Sequence, residues 1–424
     1  MSATGKSKAA GAAAASRRAR PNSTAAHVCA MDIRPSTTKP QSMKPLVLTL
    51  ALAAACSFAA PPEPKFQAQE IAKITLGYGL AIADVDGDGR LDILLADKTT
   101  IQWYQNPTWQ KHVIAEHLTP EDNVCLAARD IDGDGKCELA VGAGWNPSDT
   151  KNSGAVFYMQ APPDRTQRWE AIRLSHEPTV HRMQWVQINR TRWDLLVQPL
   201  HGRGNQAGAG RGAKLLAYQK PPNPRDPWPT AVVNDTGHFT HNFDSVRWEN
   251  TAGPQIISGA QEGIWLNEYQ DDSWRSTQIT QYATGELRAG RLARGDFIAT
   301  VEPFHGSMAA VYTRDERGAW QRKLVLSGCK EGHALATADF LGVGSDQFVV
   351  GWRTTDPGIR LLTPLDEAGE NWRVSIVATK EIAVEDLKVA DLNADGRPDL
   401  IVAGRQTKNL MIFWNTLGAH KFAP

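Results

Sequence analysis

The sequence predicts an all-β protein, a seven-bladed β-propeller closed by an N-terminal strand that completes the last blade. Three observations predict it. A strand, turn, strand unit recurs seven times, its second strand beginning at Asp92, Glu138, Asp194, Gln255, Asp296, Gln347 and Asp399, a period of roughly 50 residues as in propeller blades. Six units are followed by a β-rich run that opens on tryptophan: Trp109, Trp169, Trp228, Trp274, Trp320 and Trp372. The seventh has no such run after it, whereas FQAQEIAKI from Phe66 precedes the first unit with no hairpin of its own. Lending that strand to the final blade closes the ring and removes two open sheet edges. A β-sandwich does not account for seven similar units, and an open solenoid does not account for a displaced first strand.

Taken in chain order, the first 42 residues are basic and Ala/Ser-rich without apolar periodicity, a composition that cannot bury enough surface to fold and suits a disordered or mis-started extension. Residues 43–59, MKPLVLTLALAAACSFA, have the charged start, short apolar run and small residues of a secretory signal peptide. The run is too short for a good membrane span. Cleavage after Ala59 predicts an exported protein, periplasmic or extracellular, and Cys56 after three alanines offers a lipid anchor as the alternative. The propeller then occupies residues 65–424. Its 46 basic and 46 acidic residues (whole-chain counts) leave no global bias toward nucleic acid or an anionic membrane. Beyond Cys29 and Cys56, Cys125, Cys137 and Cys329 are an odd set without metal-ligand spacing, which reads as buried apolar thiols.

Between the first two strands of three units lies an acidic turn. Asp84, Asp86, Asp88 and Asp92 alternate with glycines; Asp130, Asp132, Asp134 and Glu138 repeat the arrangement; Asp391, Asn393, Asp395 and Asp399 repeat it again. Such a loop repels itself unless its oxygens converge on a hard cation, so three structural calcium ions are expected. The fourth copy, from Asp339 to Gln347, carries Leu341 and Val343 at ligand positions and is expected to hold none. Because a strand follows each turn directly, the segments resemble FG-GAP/VCBS repeats of integrin-type propellers, a resemblance that implies calcium stiffens the hairpins without entering any chemistry.

Propeller function concentrates where inner strands begin and where the loops between second and third strands project. Five of the eleven histidines fall in those positions, His181, His201, His241, His305 and His333, all in blades three to six. Imidazoles from neighbouring blades suit zinc or another divalent transition metal, or general acid and base work near neutral pH, and the spacing does not separate ligand from base.

GYGLAIAD at Gly77, VHRM at Val180, THNF at Thr240, EPFHGSMAAVYT at Glu302 and GHALATAD at Gly332 resemble, in the same order, segments of the propeller of aldos-2-ulose dehydratase. That resemblance implies elimination of water from a 2-keto sugar such as 1,5-anhydrofructose, and carries over His181 with Arg182, His241, His305, His333 and Tyr78. His201 lies in a Gly-rich insertion with no counterpart, and the family's cupin-like sequence is absent, so no later isomerase step is implied. Eliminating water β to a ketone needs a base, a cation or donor for the enolate oxygen, and an acid for the departing hydroxyl. We assign His241, His305 and His333 as metal ligands, His181 as the base, Arg182 as the group that holds the sugar or the developing charge, and Tyr78 as a proton carrier or stacking surface. The partner is then a small carbohydrate-derived molecule. Two other readings stay open: a non-catalytic propeller that binds glycan or protein at the cell surface, and a polysaccharide lyase or hydrolase, for which Glu262, Glu286 and Glu302 supply carboxylates without a visible pairing.

Overall fold

The computed structural model describes residues 60–206, 208–248 and 253–418, all within one compact unit. The predicted extension (1–42) and signal peptide (43–59), with Cys29 and Cys56, lie outside the described residues.

Seven four-stranded antiparallel sheets make up the described chain. Their inner strands are Gly79–Ala83, Cys125–Arg129, Val180–Gln187, Thr240–Val246, Leu287–Arg291, Gly332–Ala338 and Val384–Ala390. The second strands start at the predicted residue in six blades; in the third the start is Trp193, one residue earlier than expected. In the seventh sheet the order runs Val384–Ala390, Asp399–Gly404, Asn409–Asn415 and then Phe66–Lys73, with Phe66 opposite Asn415 and Lys73 opposite Asn409. Consecutive inner strands touch all the way round, blade 7 to blade 1 included. There the Leu80 amide donates to Asp386 Oδ2 at 2.7 Å.

Apolar cores lie between adjacent blades. Leu94, Trp103 and Ile114 of blade 1, for example, pack with Leu139, Phe157 and Trp169 of blade 2. The blade tryptophans join this packing and also brace the turn before the outer strand. The indole N–H of Trp169 donates to the Arg165 carbonyl at 3.1 Å, and that of Trp228 to the Pro224 carbonyl at 3.0 Å. An amphipathic ring thus fills an interblade gap while its polar tip satisfies a loop carbonyl, which is why tryptophan recurs at that position. Cys125, Cys137 and Cys329 are free and buried, and burial pushes their thiols up to about 12, 12 and 11.

Candidate active site

Local irregularities in the inner strands aim the site. In blades 3, 4, 6 and 7 the pairing of inner with second strand slips at the top, between Val180 and Arg182, Thr240 and Phe243, Gly332 and Ala334, and Val384 and Asp386. The residues skipped are His181, His241 with Asn242, His333 and Glu385. A bulge breaks the alternation of a strand and redirects one side chain, and here it does so in four blades around one mouth. His305 arrives differently, from the turn after the second strand of blade 5 (Asp296–Glu302), where Phe304 has φ +49°. That turn presses on its neighbour: a Cβ at Gly285 would stand 2.1 Å from the Phe304 carbonyl oxygen, so only glycine fits there.

Four of the five histidines meet. Ring centroids are 4.6 Å apart for His181 and His241, for His241 and His305, and for His305 and His333. His241, His305 and His333 each offer a nitrogen within 4.8 Å of the others. The fifth, His201, stacks on Phe239 at 4.6 Å, and Phe239 stacks on Phe304 at 4.0 Å. His201 therefore belongs to an aromatic column beside the cluster rather than to the cluster. Trp145 covers His181 (5.1 Å) and Phe304 stands edge-on to His241 (4.9 Å), so apolar faces wall the imidazoles.

These surroundings keep the rings neutral. His181, His241 and His333 are held well below the usual imidazole range, burial being the largest cause, followed by Arg182 for His181, His305 for His241 and Arg353 for His333. His305 is pushed down to about 3 by burial and then by Arg353 and Arg182. The Nδ1 of His181 faces the His241 carbonyl at 2.9 Å and that of His333 faces the Glu385 carbonyl, so both rings carry their proton there. Arg182 Nη1 donates to the Nε2 of His181 at 3.0 Å, which occupies the lone pair expected of a base.

Two buried glutamates hold the surrounding arginines. Glu286 lies 3.6 Å from Arg182 and 3.7 Å from Arg288, and Asn242 donates to its Oε2 at 2.7 Å. Glu385 accepts from Arg353 at 3.0 Å and from Arg405 at 2.8 Å. These residues lie at strand starts or projecting loops, and their roles depend on interblade distances that no local motif carries. Tyr78 sits apart from the imidazoles: its hydroxyl donates to Asp122 at 2.9 Å, the Arg405 guanidinium lies 5.1 Å from its ring centre, and burial followed by Asp122 pushes its pKa up to about 12. It shares with Arg182, Asn242, Arg288, Asp386 and Lys388 an axial cavity of about 190 Å³.

The donor chemistry fits a divalent transition metal at His241 and His333, since three neutral nitrogens converge and both of these rings have an acceptor behind Nδ1. His305 fits less simply, because Arg353 Nη2 donates to its Nδ1 at 3.2 Å. A metal on its Nε2 requires that guanidinium to turn away.

The acidic turns form a separate set. Oxygens of Asp84, Asp86 and Asp92 lie within 4.8 Å of one another, as do those of Asp130, Asp132 and Glu138. Asp88, Asp134 and Asp395 accept from the amides two residues on, at Arg90, Lys136 and Arg397. In the third turn Gly396 N donates to Asp391 and Asp395 N to Asn393, the same ladder. Asp92, Glu138 and Asp399 also brace their hairpins, taking the amides of Val85, Ile131 and Leu392. Burial raises them to about 7, 7 and 6, with neighbouring acidic charge adding to the rise, so a nearby cation would relieve each of them. The fourth turn keeps the brace with a neutral side chain, Gln347 Oε1 accepting from Leu341 N at 2.9 Å. Turn shape therefore does not by itself require the ligand set.

Residues 153–315 match the family model of the aldos-2-ulose dehydratase β-propeller domain, and residues 84–141 match that of an FG-GAP-like repeat. The first match runs from blade 2 into blade 5 and includes His181, Arg182, His241 and His305, whereas Tyr78 and His333 lie outside it. No curated protein matches the chain. Among solved structures, a chain of the crystal structure of BBS1N in complex with ARL6DN superposes with a TM-score of 0.54 at 15% identity, covering 85% of this chain and 99% of that one. A chain of the mitotic checkpoint complex superposes at 0.53 and 12% identity, covering 91% and 98%. Likeness at such identity concerns the fold alone. The chain is a seven-bladed propeller with FG-GAP-like repeats, and its middle blades resemble the dehydratase propeller.

Proposed function

We propose that this chain is an exported carbohydrate lyase that removes water from a 2-keto sugar of the 1,5-anhydrofructose type at the mouth of the propeller. The observation that carries the reading is the convergence of His181, His241, His305 and His333, kept neutral by burial, the first three of them in the region matched by the dehydratase family. A neutral imidazole is the form that accepts a proton or binds a metal.

His181 is the base. Its Nε2 lone pair is shielded by Arg182 in the free protein, and a substrate oxygen that draws the guanidinium onto itself frees that lone pair beside the substrate. The proton next to the carbonyl then passes to His181 Nε2, and the C–H electron pair moves onto the carbonyl oxygen as an enolate, which Arg182 stabilises. Return of that pair expels the β-hydroxyl, which leaves as water after taking a proton from a neighbouring imidazolium or N–H. A divalent ion on His241, His305 and His333 would supply Lewis-acid polarisation of the ketone. Tyr78 keeps its proton and lines the cavity below, where its ring can face the sugar. Calcium in the three acidic turns would stiffen the hairpins.

Partly exposed Trp145, Phe239 and Phe304 at the rim favour, as a second reading, a propeller that binds glycan without chemistry. Metal analysis after calcium is stripped by a selective chelator separates the two. About one zinc per chain, lost in His305→Ala, is the expected result; a wild-type protein that retains no transition metal supports the binding module.

A further inference from the structure

We infer that Glu286 and Arg353 are positioning residues that hold His241 and His305 in opposite tautomers, with the His241 proton on Nδ1 and the His305 proton on Nε2. The consequence for the reaction rests on the lyase reading; the tautomers themselves do not.

The deduction starts from a group with one possible role. A guanidinium has donors and no acceptor, and Arg353 Nη2 lies 3.2 Å from His305 Nδ1 while Glu385 anchors its Nη1 at 3.0 Å. His305 Nδ1 is therefore the acceptor. With Nδ1 taken up as an acceptor, the ring carries its N–H on Nε2. That atom lies 2.6 Å from His241 Nε2, which must then accept. The proton of His241 is left on Nδ1, and Glu286 Oε1 stands 2.9 Å from it, off the line of an ideal hydrogen bond, with His241 fully buried and Glu286 2% exposed. Neither buried atom has another hydrogen-bond partner. Asn242, Arg182 and Arg288 fix the carboxylate in turn. The two positioning groups are opposite in kind, an acceptor behind one imidazole and a donor behind the other, and each choice enforces the other through the short Nε2 to Nε2 approach.

In the lyase reading His241 is thereby delivered with its Nε2 free of a proton and able to bind a metal, whereas His305 has to move its proton to Nδ1 before its Nε2 can do so. Arg353 also opposes a metal on His305, whereas Glu286 favours one on His241. Replacing them should move zinc affinity in opposite directions, which a merely structural role would not do.

The test is nitrogen-15 NMR of the imidazoles in the metal-free full chain, with signals assigned through single His→Gln variants, alongside zinc competition on Glu286→Gln, Glu286→Met and Arg353→Met. Wild-type His241 protonated on Nδ1 and His305 on Nε2, with zinc bound roughly tenfold or more weakly in Glu286→Met and more tightly in Arg353→Met, is the expected result. Recovery of part of that loss in Glu286→Gln, which keeps an acceptor oxygen, supports it further. A wild-type spectrum with His241 protonated on Nε2 or His305 on Nδ1 overturns it, whether or not any variant folds. Those tautomers in a protein that forms no enone would leave this inference standing and remove the lyase reading.

Discussion

At the residue scale, one alanine stands where its neighbours use glycine. The first two acidic turns place Gly87 and Gly133 at φ +82° and +84°, and the third places Ala394 at +57°. A Cβ in that region costs roughly 1–2 kcal/mol, partly offset by the freedom glycine adds to the unfolded chain. Ala394→Gly should raise stability by about 0.5–1 kcal/mol in urea titration, and an unchanged or lower midpoint contradicts this. His305 gives a pH signature. Its folded pKa is about 3, against an ordinary value near 6.5. Between those limits the unfolded chain binds a proton that the folded chain refuses, so stability is lost as pH falls and nothing is lost above about 6.5. In chelator, the stability gap between wild type and His305→Gln should narrow in acid by up to about 1.4 kcal/mol per pH unit. A constant gap from pH 7 to 5 would show that His305 is not held neutral.

At the element scale, the inner hairpins serve two ends of the propeller. The turns of blades 1, 2 and 7 carry oxygens at one end, and the bulges of blades 3, 4, 6 and 7 send side chains to the mouth at the other. The turns were legible because a calcium loop is a local pattern: alternating carboxylates with glycines between them. Bulges were not, since a one-residue slip in pairing leaves no mark on composition; His181, His241 and His333 were found by position along the repeat, not by the irregularity that aims them. His201 shows the limit of that procedure, because the same kind of position in blade 3 leads into an insertion that turns the ring onto Phe239. Calcium analysis of the purified chain should give three equivalents, falling to two in Asp86→Ala. Four equivalents would mean that the turn from Asp339 to Gln347 binds after all, and none would leave the acidic turns without their proposed ion.

At the scale of the whole molecule, the ring is what makes a site out of residues up to 152 positions apart, from His181 to His333. The number of blades was legible because repetition is visible in one sequence. The partnerships at the mouth were not: Arg353 with His305, or Glu286 with His241, join blades whose separation depends on packing between sheets. Charge illustrates why the composition is silent on this point. A chain with equal numbers of acidic and basic residues still builds a mouth in which two glutamates each hold a pair of arginines around neutral imidazoles. The most direct test of that mouth as a lyase centre is the ultraviolet absorbance of an enone forming from 1,5-anhydrofructose, followed with wild type and with His181→Gln, both supplied with zinc. Enone growth with wild type that falls at least a hundredfold in His181→Gln is the predicted result; no enone from wild type with any divalent ion would contradict it.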